Sequence, residues 1–297
     1  MDGIISHADA DGIISASLLI KLKPRSSLYF SSSTFLHKTI CKLLDVDLEN
    51  LYILDISANK KSLILSSIFK KVVWIDHHQW EDLEIPNNVE VFVEEAESTA
   101  KVVAKVLRIE DPLVEIANEI DTNNIKNDSA KFFRDLVSAI KWKYGKTQSL
   151  KFRQIAKILA FKGLDELEKD VENSKLIEEH LNWLQSIVPE ILEKVKEFDV
   201  NGKKVIIIEV TKSMPVYFVH ETLKKNNFNF DILCVFYRRI DMKRKIPITK
   251  IEIRSNDEKA LKIAKIFNGG GHKFASGATI NRYLGIGEFL EKIKQIL

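Results

Sequence analysis

The stretch His7-Ala8-Asp9-Ala10-Asp11-Gly12 decides how the N-terminal half of this chain is interpreted. It follows the apolar run Gly3-Ile4-Ile5 and holds three side chains of types that bind metal ions. In an extended backbone, His7, Asp9 and Asp11 would point to the same side. Carboxylates this close repel each other unless a cation lies between them, and a mixture of imidazole and carboxylate suits Mn, Fe or Zn. The stretch therefore predicts a metal site, with an Asp-rich turn that caps a helix as the structural alternative.

Length and composition indicate a globular protein of two domains. The chain has 297 residues, of which 45% are hydrophobic, and this is enough for a core in each domain. The sequence shows no membrane-spanning run and no signal peptide at Met1, so we expect a cytoplasmic protein without a membrane partner. Cys41 and Cys234 lie in apolar segments, which predicts buried and reduced thiols. The net charge of +3 permits an anionic partner without requiring one.

The first half of the chain alternates short apolar runs with helical patterns, which is typical of βαβ units around a parallel sheet. Strands are predicted over residues 3–6, 27–31, 51–54, 72–75 and 89–93. Helices are predicted over residues 13–23, 35–44, 61–69, 99–108 and 113–120.

Polar side chains stand where these strands end. His7, Asp55 and Asp76 each follow an apolar strand, and ligands of open parallel sheets bind at the carboxyl ends of the strands. A single Asp after a strand is usually a helix N-cap, but a cap does not explain the adjacent imidazoles of His77 and His78. One metal ligand and one phosphate-facing group would explain them. Asp121 ends a predicted helix, where a carboxylate opposes the helix dipole and needs a partner such as a cation.

Together these residues resemble the four motifs of the DHH phosphoesterase family, which is named after Asp76-His77-His78. The resemblance implies two Mn²⁺ ions per site. It assigns one ion to His7, Asp9 and Asp55, and the other to Asp11, Asp55, His77 and Asp121, so that Asp55 bridges them. It also implies that Asp76 orients an imidazole and that His78 meets the substrate phosphate. Two such ions activate a water for attack on phosphorus, so no side-chain nucleophile is needed.

Between residues 126 and 198 the pattern changes to long, charged helices, and we predict no strand there. Within this region, residues 141–146 (Lys-Trp-Lys-Tyr-Gly-Lys) and 151–153 (Lys-Phe-Arg) interleave cations with aromatic rings. Such a mixture can hold single-stranded nucleic acid through phosphate pairing and base stacking. The structural alternative is a helix with a solvated basic face and buried rings.

A smaller α/β domain is predicted after Asn201-Gly202, with strands over 203–211, 231–239 and 248–255 and helices over 216–225 and 259–267. It ends in Gly269-Gly270-Gly271-His272, where consecutive glycines would expose backbone N–H groups to an anion. This stretch resembles the glycine motif of the DHHA1 domain, and Arg254 matches the phosphate-binding arginine of that domain. Arg suits this role because its planar fork pairs with phosphate in bidentate fashion.

We therefore predict an α/β protein in which a parallel-sheet DHH catalytic domain (1–180) is joined by a helical connector (181–200) to a smaller α/β DHHA1 domain (201–297). We expect the active site in the cleft between the two domains. The resemblance implies a Mn²⁺-dependent phosphodiesterase, with a RecJ-like single-strand exonuclease on DNA or RNA as the leading hypothesis.

Two alternatives stay open. The first is a hydrolase of short oligonucleotides (the nanoRNase type), cyclic dinucleotides or bisphosphate nucleotides, which the modest chain length favours. The second is an inactive binding subunit like a RecJ-related replication factor, which would have lost metal ligands. The expected partners are single-stranded DNA or RNA, or short oligonucleotides, and a DNA-repair or replication protein.

Overall fold

The computed structural model describes residues 1–211, 214–242 and 245–297. The chain divides into two compact units, Met1–Leu181 (unit 1) and Asn182–Leu297 (unit 2), and the division falls within helix α9. Among the described helices, none combines the length and the apolar character that a membrane span requires.

Unit 1 contains a parallel sheet of five strands in the order β2-β1-β3-β4-β5. The strands are β1 (Gly3–His7), β2 (Ser27–Ser31), β3 (Leu51–Leu54), β4 (Val72–Asp76) and β5 (Val89–Val93). The helices are α1 (Ala10–Leu22), α2 (Leu36–Cys41), α3 (Lys60–Ser66), α4 (Thr99–Leu107), α5 (Leu113–Asp121), α6 (Asp128–Tyr144), α7 (Gln148–Phe161), α8 (Leu164–Glu168) and α9 (Val171–Ser186), with a 3₁₀ turn at Gly145–Thr147. The parallel sheet predicted for the first half of the chain is confirmed.

Alternating strand residues give this sheet two apolar faces, as the twofold period of a strand requires. On one face, Ile5, Ile53 and Trp74 pack against α2 and α3. On the other, Ile4, Leu54 and Ile75 pack against a layer that includes α1, α4, α5, α6 and α7. Because both faces are covered, the carboxyl edge of the sheet is left to carry polar side chains.

Unit 2 is a mixed sheet of six strands in the order β10-β11-β9-β8-β7-β6, in which only the β7–β8 pair is parallel. The strands are β6 (Val195–Val200), β7 (Lys203–Val210), β8 (Ile232–Asp241), β9 (Ile246–Ser255), β10 (Gly270–Gly271) and β11 (Ala275–Ile280). The helices are α10 (Val188–Glu193), α11 (Val216–Lys225), α12 (Ala260–Ile266) and α13 (Ile286–Ile293).

Two expectations from the sequence are wrong. The region 126–198 is not free of strands, because residues 195–198 belong to β6, which pairs with β7 through an antiparallel hairpin. Its Val-Lys-Glu-Phe-Asp-Val sequence lies on the edge of the sheet, where strands often carry charged side chains. Because of these charges, the segment resembles the charged helical segments that precede it. Cys41 is exposed at the end of α2, whereas Cys234 is buried as predicted.

Three aromatic rings fix α13 and α12 on the sheet of unit 2. The fully buried ring of Phe289 meets Phe236 edge-on at 5.0 Å and stacks on Phe267 at 5.4 Å between ring centroids. We predict that Phe289→Ala lowers the stability of unit 2 by about 3–5 kcal/mol, because it leaves a cavity among these rings. Hydrogen exchange of β7–β9 peptides under urea measures this loss.

The matched control is Phe274→Ala, which removes the same ring from a position that is 50% exposed in the same unit. It should change the exchange of β7–β9 very little. An equal loss in both variants would contradict the role given to the ring of Phe289.

Candidate metal and phosphoester site

The sequence between β1 and α1 forms a tight strand-to-helix turn, not the extended segment that we expected. Asp9 is the N-cap of α1: its Oδ1 accepts the Gly12 N–H at 3.0 Å, and its Oδ2 lies 2.5 Å from His7 Nδ1. Asp11 lies inside the first turn of α1 and is buried. The capping alternative is therefore correct for Asp9, and the same turn keeps His7, Asp9 and Asp11 together.

Gly12 makes this turn possible. A Cβ atom at residue 12 would lie 2.3 Å from the backbone oxygen of His7, which is closer than real Cβ contacts come. The side-chain hydroxyl of Ser6 donates to the Gly12 carbonyl at 2.7 Å and stabilises the turn. The motif thus needs glycine for close backbone approach.

Asp55 follows β3 directly and has a left-handed backbone, with φ of +58°. Asp tolerates this conformation better than most residues, but a buried left-handed residue is a strained one that often marks a functional site. Its two carboxylate oxygens face different neighbours: Oδ2 lies 3.7 Å from His7 Nδ1, and Oδ1 lies 3.8 Å from His77 Nε2. Thr99 Oγ1 donates to Oδ1 at 2.9 Å and fixes this orientation.

Two groups of ligand atoms lie on either side of Asp55. His7, Asp9 and Asp55 bring one ligand atom each within 4.8 Å of one another, and so do Asp11, His77 and Asp121. His77 Nε2 lies 3.5 Å from Asp121 Oδ2 and 3.9 Å from Asp11 Oδ2. The structure therefore brings together all six side chains predicted as metal ligands, in two groups that meet at Asp55.

Hydrogen bonds at the back of the site set the direction of each ring. His77 Nδ1 lies 3.0 Å from the Ala96 carbonyl, which can only accept, so Nδ1 carries the proton and Nε2 turns a lone pair toward the carboxylates. Asp76 accepts from the His77 backbone N–H at 2.9 Å and binds His78 Nδ1 at 2.6 Å. Its other oxygen accepts from Trp80 Nε1 at 2.8 Å. Asp76 thus accepts hydrogen bonds from three neighbours and fixes the orientation of the His78 ring.

Asp11 is held by the N-terminus of α4, a contact that the sequence did not predict. The backbone N–H groups of Thr99 and Ala100 donate to its two oxygens at 2.6 and 2.8 Å. Ser98 caps α4 and presents these groups. The Ser-Thr pair before an apolar helical run is a visible capping signal, but the sequence does not reveal which carboxylate it meets.

The electrostatics of the site favour bound positive charge. Burial, followed by the charges of neighbouring carboxylates, raises the pKa of Asp11, Asp55 and Asp121 above the ordinary range. Burial would lower the pKa of His7, but Asp9 and Asp55 raise it well above its usual value. The raised pKa values show that the charged forms of these carboxyls are unfavourable without positive charge nearby, and a divalent cation is the group that this donor set fits.

Two groups near the ligands add positive charge. Burial opposes the charged form of His78, but its bond to Asp76 and the nearby carboxylates raise its pKa to about 9. Burial raises the pKa of Asp9, yet His7 and, more weakly, Lys141 bring it below the usual range. Lys141 belongs to the stretch of cations and aromatic rings, so part of that stretch lies near the site.

The rest of that stretch is largely structural. The ring of Phe152 is fully buried and meets Phe30 edge-on at 5.7 Å. Lys143 forms an ion pair with Glu179 at 2.5 Å, and Trp142 lies against His180. These contacts favour the alternative of a basic helix face with buried rings.

The glycine motif of unit 2 is a hairpin instead of an open loop. Gly270 and Gly271 form β10 and pair with β11, and Gly269 donates to the Ala264 carbonyl at the end of α12. A Cβ at Gly269 would lie 2.2 Å from the Gly277 oxygen, so this glycine serves close packing. The hairpin turn places His272 beside Ala275, whose register partner on β9 is Arg254. Arg254 and His272 therefore lie on either side of β11, level with Ala275.

Replacing Gly12 should disturb the turn that carries the first ligands. We predict that Gly12→Ala lowers the stability of unit 1 by at least about 1–3 kcal/mol, because its methyl group collides with the backbone of His7. Gly287→Ala is the control: it also lies in a helix, its Cβ has open space, and it should stabilise α13 by about 0.5–1 kcal/mol. Thermal denaturation of both variants measures these changes in stability. A Gly12→Ala midpoint equal to that of the unmodified protein would contradict the packing argument.

Comparison with known proteins agrees with this geometry. The family model "DHH family, N-terminal domain" matches residues 3–133, and the "DHHA1 domain" model matches residues 218–297. No curated protein matches the chain by sequence.

Solved structures share the fold at low identity. A pGpG-specific phosphodiesterase, PggH from Vibrio cholerae, matches with a TM-score of 0.59 and 12% identity over 100% of this chain and 97% of its own. RecJ from Thermus thermophilus, in complex with Mn²⁺, matches with a TM-score of 0.57 and 15% identity over 99% of this chain and 51% of its own. Another exonuclease RecJ, bound to manganese, matches with a TM-score of 0.55 and 13% identity over 99% and 89%. With both family models matched in order along its length, the chain belongs to the DHH family of phosphoesterases, in the form that carries a C-terminal DHHA1 domain.

Proposed function

We propose that this protein is a Mn²⁺-dependent phosphodiesterase that removes mononucleotides from the ends of single-stranded DNA or RNA. The observation that carries the proposal is the position of Asp55, whose two oxygens face two separate groups of ligand atoms. His7 and Asp9 would hold one ion with Asp55, and Asp11, His77 and Asp121 would hold the other. Manganese agrees with two imidazoles among carboxylates, since imidazole is a poor ligand for Mg²⁺.

The protein's own residues would bind and orient the substrate. When bound, two such ions lower the pKa of a water and neutralise charge on the phosphoryl oxygens. Asp76 holds His78 through Nδ1, and His78 would donate to a phosphate oxygen. The high pKa of His78, about 9, keeps this ring charged at neutral pH. Arg254 and His272 would add contacts to the terminal nucleotide.

A second candidate is the hydrolysis of short oligonucleotides or cyclic dinucleotides. The shared fold with a pGpG-specific phosphodiesterase, over 97% of that enzyme's chain, supports it. End-labelled strands of several lengths distinguish the two candidates. Mononucleotide ladders from long strands support the exonuclease, and cleavage confined to fragments of two to five nucleotides supports the second candidate. An inactive binding subunit is disfavoured, because every predicted ligand side chain is present in the site.

Asp55→Asn tests the bridging role. Asn accepts the left-handed backbone at this position, so the fold should persist while the cluster loses a charge. We predict a loss of more than tenfold in the Mn²⁺-dependent hydrolysis of a labelled strand, which corresponds to more than about 1.4 kcal/mol of barrier. Circular dichroism checks the fold, and Asp45→Asn, on an exposed carboxylate of unit 1, should leave the rate unchanged. A variant that keeps more than about a tenth of the rate would show that Asp55 does not bridge.

The need for a strand end is the next prediction. A two-metal centre recognises phosphoryl oxygens and does not distinguish internal from terminal bonds, so end selection must come from other contacts. We expect circular single-stranded DNA to resist digestion while the linearised form is consumed. Arg254→Ala and His272→Ala should lose activity on linear strands and still bind both metal ions. Efficient cleavage of the circle would contradict end recognition, and normal turnover by both variants would remove Arg254 and His272 from the site.

A further inference from the structure

At the carboxyl edge of the unit 1 sheet, the segments that follow β2 and β3 lie next to the proposed metal ligands. His7 of β1 is the register partner of Ser31 of β2, and Ser6 is the partner of Leu54, which precedes Asp55. The chain leaving β2 therefore begins directly beside the proposed metal centre. The segments after β2 and β3 then lead into α2 and α3, on the same face of the sheet.

These two segments are joined to each other. Ser33 Oγ donates to the Ser57 carbonyl at 3.4 Å, and Asn59 Nδ2 donates to the Ser33 carbonyl at 3.4 Å. Lys60 and Phe35 follow Asp55 and Ser31 by five and four residues, so the chain keeps each within about 18 Å of the ligand edge. Both segments thus form one surface next to the site.

This surface concentrates positive charge. Lys38, Lys60 and Lys61 are all exposed, and among the described residues none of them forms an ion pair with a carboxylate. Most other lysines near this sheet are neutralised, as Lys21 is by Asp111 and Lys101 by Glu97. Burial, Lys61 and Lys38 together lower the pKa of His37, which lies between the lysines of α2 and α3 in charge terms. Uncompensated cations so close to one another repel unless an anion joins them.

An aromatic ring stands among these cations. The side chain of Phe35 is 55% exposed, and Lys38 Nζ lies 5.2 Å from the centre of its ring. An exposed ring within a group of lysines is the combination that binds single strands, because every base has a face that stacks and every nucleotide carries a phosphate. We call Phe35, Lys38, Lys60 and Lys61 the cationic edge.

We propose that the cationic edge binds the phosphate backbone of a single strand outside the metal centre, with one base stacked on Phe35. This inference rests on the proposed function, since it gives the strand a path to the site. According to this inference, unit 1 is the part of the protein that binds long strands more tightly than dinucleotides. A dinucleotide is too short to fill both the metal centre and the cationic edge.

The test combines three substitutions, Lys38→Gln, Lys60→Gln and Lys61→Gln, in the full-length protein with Mn²⁺. The probe is a fluorescent phosphorothioate dT20, which keeps the backbone charge and resists hydrolysis. We expect binding to weaken at least tenfold at 0.1 M salt, and the slope of log affinity against log salt to fall by about 2, since each contact to a single strand contributes about 0.7. Phe35→Ala should weaken binding by about tenfold, and Phe35→Trp should restore it, because tryptophan also offers a ring.

A matched control removes the same charge from the opposite edge of the same sheet. Arg25, Lys70 and Lys71 are exposed and precede β2 and β4 at their amino ends; Lys71 pairs with Glu90 at 3.1 Å, so the match is in formal charge. Their triple Gln variant should bind dT20 like the unmodified protein. If both triple variants lose affinity equally, or if the Lys38, Lys60 and Lys61 variant binds with unchanged affinity and salt slope, the inference is overturned.

Hydrolysis separates this inference from the proposed function. The Lys38, Lys60 and Lys61 variant should lose at least ten times more kcat/KM on dT20 than on the dinucleotide pTpT. Equal losses on both substrates would contradict the role of the cationic edge. If the unmodified protein hydrolyses neither substrate, the proposed function fails, while the binding comparison still decides whether the cationic edge holds a strand.

Discussion

Electrostatic repulsion among buried carboxylates is the constraint on which the N-terminal unit depends. Asp9, Asp11, Asp55 and Asp121 come from three separate places in the chain, and the burial of Asp11 and Asp55 makes their charges costly. Bringing these four carboxylates together does not stabilise the fold unless positive charge lies between them. His7, His77 and His78 lie among these carboxylates, and two divalent cations would satisfy the whole group.

The parallel sheet explains how such distant residues meet. Its strands all end at one edge, so β1, β3 and β4 deliver His7, Asp55 and Asp76 side by side. The backbone is adapted at this edge: Gly12 lets α1 start against β1, and Asp55 takes a left-handed conformation. Hydrogen bonds from Thr99 and Trp80 then hold the carboxylates in place. The geometry of the site therefore follows from the backbone and from these hydrogen bonds.

Much of this could be predicted from the sequence, because most of the proposed ligands lie in short motifs directly after apolar strands. The strands of unit 1 and the grouping of the six proposed ligand side chains could be predicted for that reason. The contacts of Thr99 and Trp80 were not, because a capping residue or a ring does not reveal which distant carboxylate it meets. The strand Val195–Val200 was missed because its charges resemble a helix face. The glycines at 269–271 were expected to bind an anion. The structure shows in addition that Gly269 and Gly271 pack closely against β11, and this packing cannot be predicted without knowing that β10 pairs with β11.

The most direct test of this account is the number of metal ions that the protein binds. Isothermal titration of the metal-free protein with Mn²⁺ should give two sites per chain, and Asp55→Asn should weaken both, because one carboxylate serves both groups of ligands. Metal ions bind deprotonated ligands, and burial raises the pKa of Asp11, Asp55 and Asp121, so Mn²⁺ binding should weaken as the pH falls. A single site, or two sites of which Asp55→Asn affects only one, would contradict a centre organised around Asp55.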